Sequence, residues 1–398
     1  MIGRTQQSPQ ARFARHRHRR DCKCRAAAYA DGMAPPYPCN LTPTSLDAAN
    51  TTSILREFGG RWASACVESL GNSGGFSGAR LWRVTSAAGD YCLRAAAAAK
   101  WDPSRLRGLH RLLKHVHDAG VTVVPVPIAA VSGETLIERG GELWQLEPWM
   151  PGIADFDRHP TDERLAAAMT CLARWHLAAG RFVASDVEHE WFACAAQARS
   201  PAVIERREKI QTWSATHCDD ARRRLTKLDW PNFRTLGERL LRLFEQHAPH
   251  VARELELAAR IAVPVQPCLR DIWHDHVLFA GAKVSGLIDA NACRTESVAT
   301  DLARLLGSLV GDDRRRWRFA IEVYQIVRSL SVAEQGLIEV LDQSGVLLNG
   351  LTWLTWACVE QRSFAEQDRG RIEQRLSSHL ERLERLNPCA ASIASRDL

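Results

Sequence analysis

The chain has 398 residues, 45% of them hydrophobic and 25% charged, with a formal net charge of +6. This length suits two or three units of about 150 residues each, and the composition excludes disorder of the whole chain. The charge excess lies at one end: residues 1–33 hold eight basic residues against two acidic ones, and the remaining 365 residues sum to zero. A charged end is not a basic face of a fold, so a nucleic-acid partner is set aside; so is a membrane span, since no run reaches about 18 apolar residues.

Residues 1–55, with ARFARHRHRRDCKCR and PPYPCNLTPTS, carry no sustained period and read as a basic flexible tail. The Arg-rich opening has some flavour of an organelle transit peptide, and Met33 is an alternative start. The twelve cysteines form no CxxC pair and no zinc-finger spacing, and with no secretory segment at the start they fit a reducing cytoplasm.

Residues 56–150 form a β-rich lobe. ACVESL, a glycine-rich GNSGGFSGA, RLWRVTS, a turn at AAGD and YCLRAAA predict two or three antiparallel strands. Leu106, Leu109, Leu112, Leu113 and Val116 recur at helical spacing over 104–119. PVPIAAVSG and ETLIERGGELWQLEPWM predict another pair of strands, ending at MPG. Residues 151–398 are helical in character: 161–179, most of 202–260, 299–311, 313–330, 333–347 and 366–386, interrupted by a strand-and-turn patch at 262–290. A sheet-rich part followed by a helical part predicts an α+β fold of two lobes joined near 147–152.

The interruption reads CLRDIWHDHVLFAGAKVSGLIDANACRTESVATDLARLL. An apolar lead-in ends at Asp271, a polar loop follows, VLF turns at GAK, and VSGLID ends at Asp289, so both aspartates stand at the edges of one hairpin. One carboxylate to accept a hydroxyl proton and another to hold a divalent cation is what phosphoryl transfer needs.

DIWHDHVLF followed by VSGLID resembles the catalytic loop and metal segment of the aminoglycoside phosphotransferase and choline kinase group, small-molecule kinases with a protein-kinase-like fold. The resemblance spans about residues 61–365. It implies a small β-rich nucleotide-binding lobe and a larger helical lobe, transfer of phosphate from ATP with Mg2+ to a hydroxyl of a small molecule, and a cytoplasmic protein without nucleic-acid or membrane partners. It places the catalytic carboxylate at Asp271, a metal ligand at Asp289, and a capping role at the buried Asp301. Gly71, Gly74, Gly75 and Gly78 match a loop over the nucleotide phosphates, Arg94 a phosphate contact, and LEPWMPG, through backbone near Glu147 and Trp149, the adenine edge.

Three positions depart from the family pattern. Leu269 replaces a histidine, Arg270 a glycine, and His276 the asparagine that completes the cation site. His276 is a candidate metal ligand, although imidazole suits zinc, iron or nickel better than magnesium, or else a hydrogen-bonded residue that fixes the loop. His176 reads as a core histidine. Trp353 and Trp356, three apart on one helix, read as packing rather than a cage for a cation. Two alternatives share these residues: a catalytically weak kinase-like nucleotide-binding protein, and a metal-dependent hydrolase using His274, Asp275, His276 and Asp289. Neither the acceptor nor the oligomeric state is legible.

Overall fold

A computed structural model describes residues 45–62, 64–71, 78–364 and 366–386. Most of the expected tail, including the transit-like opening and Met33, therefore lies outside the described residues. Its boundary moves: the chain is helical from Ser45, and helix α1 (Ser45–Glu57) buries Ile54 and Leu55.

The small lobe is one antiparallel sheet in the order β1-β2-β3-β5-β4. Its strands are β1 (Cys66–Gly71), β2 (Arg80–Ser86), β3 (Gly89–Ala97), β4 (Ile137–Arg139) and β5 (Glu142–Pro148), and helix α2 (Pro103–Asp118) lies between β3 and β4 in the chain. Successive side chains on a strand point to opposite faces. One face of the sheet carries Trp82, Val84, Leu93, Ala95, Trp144 and Leu146, which pack with Ile54, Leu55, Phe58 and Trp62 into a core of their own. Each fully buried aliphatic side chain there stabilises the lobe by roughly 1.5–3 kcal/mol. The same alternation turns Arg94, Gln145 and Glu147 to the other face, and Arg94 and Gln145 are cross-strand neighbours.

PVPIAAVSG is not a strand. Pro125 and Pro127 lack the N–H that a ladder requires, so the segment runs beside the sheet, with Ile128 N–H donating to the Leu146 carbonyl at 2.7 Å. Both strands of the hairpin come instead from ETLIERGGELWQLEP.

The large lobe follows as α3 (Asp162–Ala179), α4 (His189–Phe192), β6 (Ala195–Arg199), α5 (Pro201–Thr212), α6 (Ala215–Leu225), α7 (Pro231–Ala258), β7 (Ala262–Cys268), β8 (Val277–Ala280), β9 (Lys283–Leu287), β10 (Arg294–Glu296), α8 (Val298–Val310), α9 (Arg314–Val327), α10 (Val332–Leu348), α11 (Leu351–Leu354) and α12 (Glu366–Glu384). The helical stretch 202–260 breaks where caps appear: Ser200 accepts from Val203 N–H to start α5, and Pro231 occupies the first turn of α7. Trp353 and Trp356 meet edge to face, 5.2 Å between centroids, and Arg362 lies over Trp356, so the pair is packing. Among the described residues no helix is long and apolar enough to cross a membrane.

The linker between the lobes is fixed to the two-stranded ribbon β8–β9. Ile153 and Phe279 exchange backbone hydrogen bonds of 3.0 and 2.9 Å. Gly152 has φ 103°, and a Cβ there would stand 2.7 Å from the Phe279 carbonyl oxygen and against Ser285 Oγ. Glycine is required on both counts.

Candidate active site

The loop after β7 is held from behind by Asp301. Its buried carboxylate accepts the Leu269 N–H at 2.7 Å and the Arg270 N–H at 2.6 Å. It also pairs with His176 Nε2 at 3.1 Å, and His176 Nδ1 meets the Tyr324 hydroxyl at 2.7 Å. Burial outweighs the neighbouring carboxylate and holds His176 below its ordinary value, so the neutral ring donates to Asp301 and accepts from Tyr324. The capping role expected of Asp301 is corrected by this geometry: Ser297 caps α8 through Ala299 N–H, and Asp301, a turn further in, clamps the loop.

That clamp explains the departure at 270. Arg270 has φ 64°, a left-handed backbone that suits glycine and costs other residues about 1–3 kcal/mol. Here the turn is held by Asp301, by the Asp271 N–H donating to the Leu269 carbonyl at 2.8 Å, and by ion pairing of the Arg270 side chain to Glu205. Leu269, in place of the family's histidine, is buried in the main core. The turn delivers Asp271 to the surface, with its side chain 55% exposed and Oδ1 3.0 Å from Arg304 of α8.

His276 is fixed by two bonds that determine its tautomer. Nδ1 lies 2.8 Å from the Asp271 carbonyl, which can only accept, and the Trp273 indole N–H donates to Nε2 at 2.9 Å. The lone pair a metal would need is thus already engaged. These contacts hold the loop and leave the expected metal role of His276 no free lone pair in this arrangement, although Nε2 lies only 3.8 Å from Asp289. His274 and Asp275 pair with each other at 3.3 Å, and Arg375 lies 3.7 Å from Asp275. Among the described residues, His176, Cys268 and Asp301 are the only three potential ligands whose atoms gather, and they are hydrogen-bonded and buried. The hydrolase alternative loses its site.

Asp289 follows β9 in a left-handed conformation, φ 60°. Its Oδ1 accepts from Asn291 at 2.9 Å and lies 3.4 Å from Arg94. Arg94 also faces Glu147 at 3.9 Å. Two carboxyls sharing one guanidinium separate in character. Burial pushes Glu147 up despite Arg94; at Asp289 burial acts in the same direction, but Arg94, His276 and the Asn291 amide together outweigh it and hold the carboxyl below its ordinary value.

Arg94, Gln145, Asp271, Asp289 and Asn291 line one cavity of about 180 Å³ between the sheet and the two-stranded ribbon, so the two aspartates do face a common space. Gly78, the chain neighbour of the cavity-lining Ala79, has φ 76°, and a Cβ there would come 3.5 Å from Lys100 Nζ. Gly74 and Gly75 lie outside the described residues. The Trp149 N–H donates to the Asp90 carbonyl at 3.0 Å and the Glu147 carboxylate faces Arg94; these two groups are engaged within the protein rather than offered to a base.

Sequence reasoning missed Asn291, Arg304 and Arg105. Arg105 donates from α2 to the carbonyls of Asn291 and Cys293 at 2.6 and 2.9 Å, tying the small lobe to the segment after Asp289. Only Asn291 left a local trace, being an oxygen donor two residues beyond the metal-type aspartate.

A sheet lobe and a helical lobe enclosing paired aspartates define a protein-kinase-like fold of the small-molecule kinase type. The model of the phosphotransferase enzyme family matches residues 70–330, and the chain belongs to that family. Among solved structures it is similar to a spectinomycin phosphotransferase in complex with ADP and spectinomycin (12% identity, 85% of this chain and 98% of that one, TM-score 0.58). It is also similar to a microcompartment-associated aminopropanol kinase (13%, 85% and 97%, 0.56) and to an amicoumacin kinase in complex with AMP-PNP, Ca2+ and its antibiotic (12%, 78% and 87%, 0.54). At these identities the likeness establishes the fold. No curated protein matches the sequence.

Proposed function

We propose that the protein transfers the γ-phosphoryl group of ATP to a hydroxyl of a small molecule, with Asp271 as the catalytic carboxylate. One observation carries this reading: Asp271 and Asp289 line the same cavity, beneath Arg94 of the sheet. Asp271 orients the acceptor hydroxyl and takes its proton as the acceptor oxygen bonds to the γ-phosphorus and the bridging oxygen leaves with ADP. Arg94 meets phosphate oxygens, and backbone around Gly74, Gly75 and Gly78 covers them. The adenine edge falls to main-chain carbonyls of the linker at Glu147–Trp149, since the Trp149 N–H is engaged. The nucleotides in the similar structures support nucleotide use.

The donor set fits a hard cation: the Asp289 carboxylate and the Asn291 amide offer oxygens, and Mg2+ is commonly bound by one or two carboxylates with phosphates and water. When bound, the ion neutralises charge on the phosphates. Asn291 then supplies the amide that the family pattern has at the position of His276.

The test is transfer of labelled γ-phosphate by the purified full-length protein across a broad panel of alcohols with Mg2+. Asp271→Ala and Asp289→Ala should each lower transfer by at least about 10²-fold. Absence of both nucleotide binding and transfer in the parent protein would sink the reading. The second reading, a nucleotide-binding protein with weak catalysis, is favoured by the ion pair that already occupies Asp271. Thermal stabilisation by ATP without transfer to any acceptor would establish it.

A further inference from the structure

On the helical side of Asp271, cations outnumber the acids that pair with them. Arg304 reaches Asp271 at 3.0 Å, and among the described residues no other carboxylate is within ion-pair distance of it. Arg206 and Lys209 stand one turn apart on α5, near enough that Arg304 repels Arg206 and Arg206 repels Lys209. Arg206 is held by the Leu341 carbonyl and by Ser344 Oγ at 2.9 Å, and Lys209 Nζ lies 3.5 Å from Thr352 Oγ1. Among the described residues neither has an ion-pair partner, although both are partly buried. The acids nearby serve other cations: Glu205 pairs with Arg270, and Asp342 with Arg382 at 2.7 Å. Glu296 is buried and accepts from Ser200 Oγ and the N–H groups of Ala202 and Ser297.

Cations withdrawn from water without a counter-ion are costly. Burial draws Arg206 down to about 10 against the pull of Glu296, and Arg304 adds to the descent; burial and Arg206 lower Lys209 in turn. A ligand bearing negative charge would relieve Arg206 and Lys209, and a cationic one would meet repulsion.

We infer that the acceptor is an anionic alcohol, a hydroxyl compound carrying a carboxylate or a phosphate ester, whose charged group is received by Arg304, Arg206 and Lys209 while its hydroxyl meets Asp271. The inference rests on the phosphotransferase reading above. It also runs against an acceptor like the antibiotics named with the similar structures.

The test compares acceptors matched in skeleton and differing in charge. Glycerate and gluconate form the carboxylate arm, glycerol 3-phosphate and glucose 6-phosphate the phosphate arm, glycerol and glucose the neutral arm, and serinol and glucosamine the cationic arm. Higher kcat/KM in either anionic arm than in the neutral and cationic arms is the expected result, and the better anionic arm identifies the group. Arg206→Met and Arg304→Gln should raise KM for that acceptor at least about tenfold, as loss of a charged contact does, while KM for ATP moves less than twofold. Preference for the neutral or cationic arm overturns the inference and leaves the phosphotransferase reading standing. If no arm accepts phosphate, saturable thermal stabilisation by an anionic compound beside AMP-PNP, lost in Arg206→Met, supports it and absence of that stabilisation overturns it. Absence of all nucleotide binding and transfer removes both readings together.

Discussion

The two sides of the cleft handle charge in opposite ways. Toward the sheet, Arg94 lies between Glu147 and Asp289, so that one cation faces two acids. Toward the helices, Arg304 pairs with Asp271, while among the described residues Arg206 and Lys209 have no ion-pair partner. On the proposed reading the sheet side would receive the cation that accompanies phosphates and the helical side the anionic group of the acceptor. The comparison teaches that two carboxylates of similar sequence setting sit differently: Asp289 is built into a wall against Arg94 and Asn291, and Asp271 is exposed beside Arg304.

The comparison breaks most sharply at Asp271. Asp271→Ala should lower transfer by about 10²- to 10⁴-fold, the usual contribution of a positioned proton acceptor, while nucleotide affinity stays near that of the parent. Equal loss of nucleotide binding, measured by titration calorimetry, would mean that Asp271 belongs to the same side as Asp289.

Next in size is Asp301→Ala. It strands the N–H groups of Leu269 and Arg270 and the His176 ring, and removing one member of a buried charged network costs about 3–5 kcal/mol. The denaturant midpoint should fall accordingly, and Asp301→Asn should recover part of the loss. A drop in activity with unchanged stability would contradict the clamp.

Acid should loosen the sheet side through His110. Burial holds this histidine of α2 at about 4, below its ordinary 6.5, with Gln145 and Thr135 as hydrogen-bond partners. A base with a depressed native value stabilises the fold fully above pH 6.5 and loses that contribution as pH falls toward 4. The loss is on the order of 3 kcal/mol. Stability curves at pH 7 and pH 4.5 for the parent and His110→Gln should converge at the lower pH; parallel curves would place the acid sensitivity elsewhere.

What the sequence disclosed and what it withheld have a common cause. The aspartate pair was legible because a turn, a strand, a turn and a strand lie within nineteen residues, and Arg94 because alternation within β3 separates it from Leu93 and Ala95. The helices after residue 298 were legible from their apolar spacing and caps. The strand β6 was not, since its residues are largely exposed and do not alternate. Arg304 and Asp301 meet the loop from more than thirty residues away, and no local pattern encodes which backbone N–H a carboxylate will find. Arg270 was visible as a departure, but that its position demands a left-handed turn emerged only with the backbone.

The smallest effect sharpens the boundary between the two sides. Trp273→Phe keeps an aromatic ring, though a smaller one, and removes the indole N–H that occupies His276 Nε2. The loss of one hydrogen bond should cost about 0.5–1.5 kcal/mol. The freed lone pair then lies 3.8 Å from Asp289 Oδ2, which turns an oxygen site for a hard cation into a mixed site that attracts zinc. Zinc should therefore inhibit transfer by the variant at lower concentration than it inhibits the parent, at constant Mg2+. Equal inhibition of both would show that Trp273 does not restrain His276, and the metal role set aside for that histidine would return.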